Sequence, residues 1–413
     1  MLFTIAWRNV WRNRLRSLVV IMAIASGLAL GLFFMAFSFG MNEQRAKNIV
    51  ETQTSHIQVH SPAFKEDQET QYFLEDGQEV LQTLANYPEV KASTGRLIVN
   101  GMLSNPKGGF GVQIMGIDPA EESQITHLDD RMIAGDYFEG SRSKPIVVGE
   151  KLAEKLGYVK TDGDSTSYRL RKKVVLTFQN GDSTFQASFR IVGLYKTVNS
   201  KYDEMVVFVD RSDMQELLGK PDALHQVAAL LNTSEQVDTV KQALQAAYPD
   251  DKVESWLDLN PDLKMVDETF DVYMRIFIGI ILLALSFGII NTMLMAVLER
   301  TRELGMLMSV GMNKAKIFLM IMLETVFMTV AGAPIGLLIG WGLITTFNRV
   351  GIDLSSFSEG LSSFGMENIV YPEIDPTYYG EILIMVVIAA LLSALYPAFK
   401  ALSLKPSEAV RAL

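Results

Sequence analysis

The chain has 413 residues, of which 49% are hydrophobic and only 20% are charged, with a net charge of −10 and no cysteine. The apolar content excludes a disordered chain, and the lack of cysteine excludes both a disulfide framework and a zinc–thiolate site. The acidic balance argues against nucleic acid as a partner, because non-specific binding to nucleic acid needs clustered Lys and Arg.

The N-terminal residues 1–16 predict an amphipathic helix that lies in the membrane interface on the cytoplasmic side. Phe3, Trp7 and Trp11 share one helical face and the arginines occupy the other, an arrangement that suits the lipid headgroup layer. The apolar residues 17–42 follow. They are long enough to cross a bilayer and too long for the apolar region of a signal peptide, so they predict transmembrane helix 1.

Residues 43–275 alternate short strand-like runs with short amphipathic helices, which predicts an α+β domain. Asn180-Gly181-Asp182 lies between two alternating runs and predicts a β-hairpin. Strands are predicted over 56–60, 96–102, 112–117, 145–148, 173–178, 188–194, 204–209 and 226–231, and helices over 77–85, 149–156, 211–218 and 234–247. Polar helical stretches at 42–54 and 261–273 are predicted to continue the flanking spans as stalks.

This domain shows no catalytic constellation. His56 and His60 lie four residues apart on a predicted strand and therefore face the same side, as two metal ligands would. No third ligand follows at a recognisable spacing, so two ordinary strand histidines are the favoured interpretation and we predict no metal site.

Three further apolar segments predict transmembrane helices 2, 3 and 4 at 276–298, 317–348 and 382–399. They are joined by a connection at 299–316 and a loop at 349–381, and a tail follows at 400–413. Residues 1–16, 299–316 and 400–413 carry net charges of +4, +2 and +2. Basic flanks stay in the cytoplasm. We therefore predict an inner-membrane α+β protein with both termini cytoplasmic, and a large extracytoplasmic domain between the first two of four transmembrane helices.

The connection at 299–316 begins with a dense charged run and continues with Leu304, Met306, Leu307 and Met308. It predicts a short amphipathic helix that ends at Gly311, with Asn313 as the cap of the next helix. Residue types alone leave two interpretations open: the helix rests on lipid, or it docks into a partner protein.

Two motifs resemble the FtsX/MacB-type permeases of ABC transporters. Glu299-Arg300-Thr301-Arg302-Glu303-Leu304-Gly305, followed by Ser309-Val310-Gly311, is similar to the coupling helix of that family. Pro397-Ala398-Phe399-Lys400-Ala401, followed by Leu404-Lys405-Pro406-Ser407-Glu408-Ala409-Val410-Arg411, is similar to its C-terminal end. The resemblance implies ATPase coupling through Glu299, Arg300, Thr301, Arg302, Glu303, Leu304, Gly305, Met308 and Gly311, and a family-type cytoplasmic tail marked by Pro406, Glu408 and Arg411.

The resemblance also implies partners. A cytoplasmic ABC ATPase dimer would hold ATP and Mg²⁺, and a second permease subunit, identical or a sister chain, would pair with this one. Closure of the ATPases would be transmitted to the external domains, which is called mechanotransmission. The sequence contains no G-x-x-x-x-G-K-[S/T] motif. We therefore predict no nucleotide site, no cofactor and no enzymatic activity in this chain.

A further run, Gly116-Ile117-Asp118-Pro119 with Glu121 and Glu122, resembles the lipoprotein-releasing LolC/LolE permeases. It implies extraction of lipoproteins, or another amphiphile, from the outer leaflet of the inner membrane towards a periplasmic carrier. The short turn at 179–183 departs from those permeases, which have a longer insertion there that hooks the carrier. Two other functions stay open: a MacB-like exporter of a periplasmic substrate, and an FtsX-like transmitter that regulates a cell-wall hydrolase.

Two sets of residues within the spans are candidates for function. Glu324 is an ionisable residue well inside a span, which is costly and by default functional, although a hydrogen-bonded packing role is the favoured interpretation. Flexible Met and flat Phe suit acyl chains, so a substrate cavity is predicted at the outer ends of the first two spans. Its members are Phe34, Met35, Phe37, Phe39, Met41, Met274 and Phe277.

Overall fold

The computed structural model describes residues 2–138, 144–162 and 165–403. It forms two compact units. The first, here called the membrane unit, comprises Met1–Asn42, Val266–Asp353 and Ile369–Leu413. The second, here called the inserted domain, comprises Glu43–Met265 and Leu354–Asn368.

The helices and strands of the described residues are numbered in chain order. The α-helices are α1 Leu2–Arg12, α2 Arg14–Ile49, α3 Pro62–Asp67, α4 Gly77–Ala85, α5 Pro119–Thr126, α6 Glu150–Lys155, α7 Ser200–Met205, α8 Arg211–Leu218, α9 Val237–Ala247, α10 Trp256–Leu259, α11 Pro261–Glu299, α12 Thr301–Ser309, α13 Lys314–Val350, α14 Ser358–Ser363 and α15 Thr377–Leu402. The strands are β1 Ile57–His60, β2 Val90–Asn105, β3 Gly108–Ile117, β4 Met132–Gly135, β5 Pro145–Gly149, β6 Val159–Asp162, β7 Ser165–Tyr168, β8 Lys173–Asn180, β9 Ser183–Tyr195, β10 Val206–Asp210, β11 Gln226–Leu231, β12 Lys252–Ser255, β13 Ile352–Asp353 and β14 Ile369–Val370.

Four helices in the described residues are long and apolar enough to cross a membrane: α2 with its continuation to Thr54, α11, α13 and α15. The four-span α+β prediction is thereby confirmed. The helices are longer than the predicted spans. A π-helical turn, Val50–Thr54, extends α2, and α11 starts at Pro261 rather than 276. The polar stretches expected as stalks are therefore helical continuations of the spans.

Small residues bring α13 and α2 close together within the membrane unit. A Cβ at Gly332 would lie 2.9 Å from the carbonyl oxygen of Ile21, and one at Gly336 would lie 2.7 Å from that of Ala25. Such distances leave no room for a larger side chain. Gly332 and Gly336 of α13 therefore pack directly against the backbone of α2, as expected where no water drives association.

The inserted domain is built on a ten-stranded sheet with the strand order β12-β1-β11-β2-β3-β10-β5-β9-β4 and with β8 between β2 and β9. The first half of β2 pairs with β11, while its second half pairs with β3 and β8. The strands β2, β3, β10, β5, β9 and β8 therefore close into a ring. Apolar residues such as Leu97, Val99 and Ile191 fill it.

A second core lies on one face of β12, β1 and β11, three strands outside the ring. Ile57 and Val59 of β1 and Val227 of β11 pack against Val80 of α4 and Val240 of α9. Because side chains alternate along a strand, Gln58 and His60 point to the opposite face. That opposite face is therefore partly polar.

Several sequence-based elements agree with the structure, and two differ. The hairpin forms, because Asn180 pairs with Ser183 and Gly181 adopts φ +58°. The interval 204–209 was expected to be one strand, but its first two residues end α7 and the strand begins at Val206. The loop at 349–381 was expected to be a short loop alone, yet 354–368 belongs to the inserted domain, where Glu367 accepts a hydrogen bond from Asn48 at 3.1 Å.

Candidate functional site: helix α12 and its ion pairs

Helix α1 is the amphipathic element expected at the N-terminus. Ala6 and Val10 are buried on one side, while Trp7 and Trp11 are about half exposed. Trp7 also packs edge-on against Phe327 of α13, with ring centroids 5.4 Å apart. The helix is therefore held on the outside of the membrane unit and still presents indole rings to its surroundings.

Helix α12 is a separate short element between α11 and α13. Arg300 leaves the helical conformation with φ −98° and ψ 13°, which separates α11 from α12. Gly311 ends the segment with φ +99°, a conformation that glycine adopts without strain. The side chain of Asn313 then accepts a hydrogen bond from the backbone of Ala315 at 3.2 Å and caps α13. Both predicted caps are confirmed.

Glu324 of α13 anchors a buried polar cluster beneath α12. Its carboxylate accepts a hydrogen bond from the side chain of Asn9 at 2.7 Å. Arg300 Nη1 lies 3.3 Å from the same carboxylate, and Arg300 Nη2 donates to the carbonyl oxygen of Asn9 at 3.1 Å. Three elements that are far apart in sequence, α1, the α11–α12 junction and α13, thus meet at one carboxylate.

Two further ion pairs tie the N-terminal region to the connection. Arg12 Nη2 donates to both carboxylate oxygens of Glu303 of α12, at 2.6 and 2.7 Å. Arg16 at the start of α2 pairs with Glu299 at the end of α11. These pairs are partly exposed, and each one alone contributes little stability. Together with Glu324 they fix the position of α12 against its neighbours.

One edge of α12 remains exposed. Arg302, Met306, Ser309 and Val310 follow helical spacing, and Met306 and Val310 are 47% and 89% exposed. Leu304 and Gly305 are buried on the other side. A cavity of about 470 Å³ lies beside the helix, lined by both Arg300 and Glu324 and by apolar residues such as Leu307.

The predicted coupling residues therefore divide into two groups. Arg300, Glu303, Leu304 and Gly305 turn inward or pair within the chain, and Thr301 hydroxyl donates to the carbonyl oxygen of Leu298 at 2.7 Å. Glu299 is exposed but also pairs with Arg16, Arg302 and Gly311 are exposed, and Met308 is half buried. Asn9, Met306 and Val310 are functional residues that were not predicted from the sequence. An acid inside a span needs donors at its own depth, but no local pattern identifies Asn9 as that donor.

Two other predicted sets have different outcomes. Met35 and Met274 are only 1% and 8% exposed and fill the core of the membrane unit, so the structure contradicts their placement on a cavity wall. Phe34 stacks on Phe277 at 5.4 Å, and Phe39 packs against Phe270 at 4.8 Å. Phe37 and Met41 are half buried. The tail residues Pro406, Glu408 and Arg411 lie outside the described residues.

The sequence matches two known families. The family described as MacB-like periplasmic core domain matches residues 17–247, which is more than half of the chain. The family described as FtsX-like permease C-terminal matches residues 275–406, which include α12 with Glu303 and the pair Arg300–Glu324.

Similar proteins cover nearly the whole chain at low identity. The ABC transporter permease YvrN of Bacillus subtilis is 22% identical over 98% of both chains. The lipoprotein-releasing system transmembrane protein LolC of Neisseria meningitidis is 23% identical over 97% of this chain and 95% of its own. The macrolide export ATP-binding/permease protein MacB of Chlorobium luteolum is 21% identical over 98% of this chain and 59% of its own.

Among solved structures, the periplasmic region of MacB from Actinobacillus actinomycetemcomitans matches 53% of this chain and 96% of its own, with 12% identity and a TM-score of 0.36. The two family matches and the sequence relatives lead to one assignment. The four membrane helices and the α+β domain between the first two agree with it. This chain belongs to the FtsX/MacB-type permeases of ABC transporters.

Proposed function

We propose that this chain is a permease subunit that a separate cytoplasmic ABC ATPase, binding ATP and Mg²⁺, drives through α12. The observation that carries the proposal is the braced helix itself. Its exposed edge of Arg302, Met306 and Val310 is suited to a protein partner, while its other side is pinned by Arg12–Glu303 and by the Glu324 cluster. A push on the edge therefore acts on α1 and α13 instead of being lost in a flexible loop.

In this proposal both termini and α12 are cytoplasmic and the inserted domain is extracytoplasmic, across the inner membrane. Support comes from Arg12 and Arg16 in the N-terminal segment and from the basic residues flanking α12, since cytoplasmic flanks carry an excess of Lys and Arg. The proposal assigns no metal or nucleotide site to this chain.

Transmission from α12 would use α2 and α11. Each of these helices is continuous from the membrane unit to the first or last residues of the inserted domain's main segment. A continuous helix transmits displacement better than a loop, because its backbone hydrogen bonds fix the rise per residue. We propose that ATPase closure moves these helices and so does work on the inserted domain, with a second permease subunit, identical or a sister, beside this one.

The substrate class that we propose is a lipoprotein or another amphiphile taken from the outer leaflet. It is supported by the similarity to LolC over 97% of the chain and by the aromatic pair Phe34–Phe277, of which Phe277 is half exposed. The β8–β9 turn contains only Gly181 and Asp182, so the proposal includes no periplasmic carrier hooked at this hairpin.

The coupling role is tested with Val310→Asp and Met306→Asp, each reconstituted with the partner ATPase in nanodiscs. Both substitutions put a charge on the exposed edge of α12 and leave its buried side intact. We expect at least a tenfold loss of ATPase binding and of transport-coupled ATP hydrolysis. Val350→Asp is the matched control, because Val350 is 73% exposed at the other end of α13. Unchanged binding in both α12 variants would contradict the placement of the coupling surface.

The substrate class is tested by purifying the chain with its ATPase and identifying co-purified molecules by mass spectrometry before and after ATP is added. An acylated protein or lipid that is bound without ATP and released with it is the expected result. An empty complex that still hydrolyses ATP would contradict extraction and favour the exporter or the transmitter.

A further inference from the structure

A groove of about 810 Å³ crosses the inserted domain on the polar face of its sheet. Its floor consists of strand residues, and its walls come from α3, α7, the π-helical turn and the end of α10. The lining includes Gln58, His60, Arg96, Ile98, Asn100, Gly111, Gln113, Met115 and Gln226 on the floor, and Gln53, Phe64, Lys65, Gln68, Lys201, Met205 and Leu259 on the walls.

The strand register arranges the floor in rows. His60 lies opposite Gln226, which in turn lies opposite Arg96. Asn100 lies opposite Gln113, two same-face positions further along β2. Carboxamides therefore recur across neighbouring strands on one face. A sheet face walled by helices normally carries apolar residues, because buried polar groups without partners cost free energy.

His60 supplies direct evidence of an unfilled hydrogen-bonding position. Its side chain is 3% exposed, and its Nδ1 has no hydrogen-bond partner among the described residues. Its Nε2 lies 2.7 Å from Glu254, where burial opposes ionisation but hydrogen bonds from His60 and Lys65 lower the pKa to about 2. Since Glu254 is ionised, Nε2 donates to it, and Nδ1 is left without a hydrogen-bond partner among the described residues.

The charges of the groove restrict its ligand. Arg96 is neutralised by the buried carboxylate of Glu122, at 2.6 and 2.9 Å. Lys65 is paired with Glu254 at 3.2 Å, so Lys201 is the cation that remains on the walls, and the described lining residues include no Asp or Glu. The groove therefore disfavours a basic ligand and accepts a neutral or acidic one.

We propose that this groove binds an extended peptide segment of neutral or acidic composition. Side-chain carboxamides both donate and accept, which matches the alternating N–H and C=O groups of a peptide backbone, and a peptide group is a partner for the unpaired Nδ1 of His60. Met115, Met205 and Leu259 provide adaptable apolar surface for its side chains. The volume is within the range of specific ligand sites.

The first test fills the groove. A Cβ at Gly111 meets no atom within 4 Å, so Gly111→Tyr places a ring in the groove without a backbone clash. Gly108 on the same strand is equally open but lies outside the lining, which makes Gly108→Tyr the matched control. The full-length chain in nanodiscs is titrated with fluorescent hexapeptide pools of acidic, neutral and basic composition. We expect the acidic and neutral pools to bind. Gly111→Tyr should weaken their binding at least tenfold, and Gly108→Tyr should change it less than twofold.

The second test changes charge without changing shape. Gln113→Glu adds a carboxylate to the floor and should weaken binding of the acidic pool at least tenfold. Gln82→Glu, on the exposed side of α4, is the control and should leave that binding unchanged. Pools with free C-termini are compared with capped pools. Preference for free termini identifies free peptides as the ligand, and equal binding identifies internal segments of a protein.

Three outcomes would overturn the proposal: equal binding of the basic pool, no difference between Gly111→Tyr and Gly108→Tyr, or binding of maltohexaose in place of peptides. All these measurements omit ATP and the ATPase. A negative result here therefore leaves the coupling role of α12 untouched.

Discussion

Two buried titratable residues of the inserted domain respond to pH in opposite directions. Burial raises the pKa of Asp203 to about 6, against hydrogen bonds from Thr197 that lower it. Burial lowers the pKa of His225 to about 4, and its ring is stacked between Phe64 and Phe73 at 4.7 Å from each. Each shift links the stability of the fold to pH.

Ionisation of the buried Asp203 destabilises the fold as pH rises. Its folded pKa exceeds the unfolded value of 3.8, so the native state holds the proton more tightly and stability is lost between about pH 4 and pH 6. We expect Asp203→Asn to remove roughly 3 kcal/mol of this loss. Urea unfolding followed by circular dichroism measures it, because the membrane helices resist urea in detergent. The exposed Asp130→Asn is the control. An unchanged pH slope in Asp203→Asn would contradict the assignment.

His225 has the opposite effect. Its folded pKa lies below the unfolded value of 6.5, so the unfolded state takes up the proton first and stability is lost as pH falls from 6.5 towards 4. We expect His225→Gln, measured by the same urea titration, to lose about 3 kcal/mol less than the wild type across this window. Asp203→Asn serves as the control, because it changes the pH dependence of stability in the opposite direction. Parallel slopes in wild type and His225→Gln would disprove this role.

Glu324 is the residue on which the cluster beneath α12 depends. Glu324→Leu leaves Arg300 without its carboxylate, and breaking such a pair costs about 3 kcal/mol. The double variant Arg300→Leu with Glu324→Leu should recover most of that loss, because no unpaired charge remains. Unfolding free energies from SDS titrations compare the two. If the double variant is as unstable as the single, the pair is not the stabilising contact.

At the scale of elements, helices α2 and α13 depend on close contact. We expect Gly336→Val to destabilise the membrane unit by about 2 kcal/mol, because its side chain meets the carbonyl oxygen of Ala25. Gly342→Val on the same helix is the matched control, since a Cβ there meets no atom within 4 Å. SDS titration of both variants gives the comparison, and equal midpoints would rule out packing at Gly336.

Elements with strong local signals could be predicted from the sequence. Helices α4 and α8 begin and end where their periodicity predicts, and the Asn-Gly turn sets the β8–β9 hairpin. Ring closure could not be predicted, because it depends on β2 exchanging partners midway along 16 residues. Nor could the Asn9–Glu324 contact, which joins residues 315 positions apart. Local patterns carry no information about such long-range pairing.

At the scale of the whole molecule, topology is the quantity to measure. The chain has no cysteine, so one introduced cysteine is a unique label. Ser183 and Ser309 are both exposed. In sealed right-side-out vesicles we expect an impermeant maleimide to label Ser183→Cys, and to label Ser309→Cys only after detergent is added. The reverse pattern would invert the orientation that we propose.

The inserted domain is discontinuous in sequence, and this has a consequence for biosynthesis. Its last piece, 354–368, is synthesised only after α13. Until then Asn48 lacks its partner Glu367, and Ser200 lacks Ser362, whose hydroxyl lies 2.7 Å away. The domain therefore reaches its final contacts only after the third membrane helix is synthesised, which orders its maturation behind membrane insertion. A fragment that ends at Met265 would lack both of these contacts.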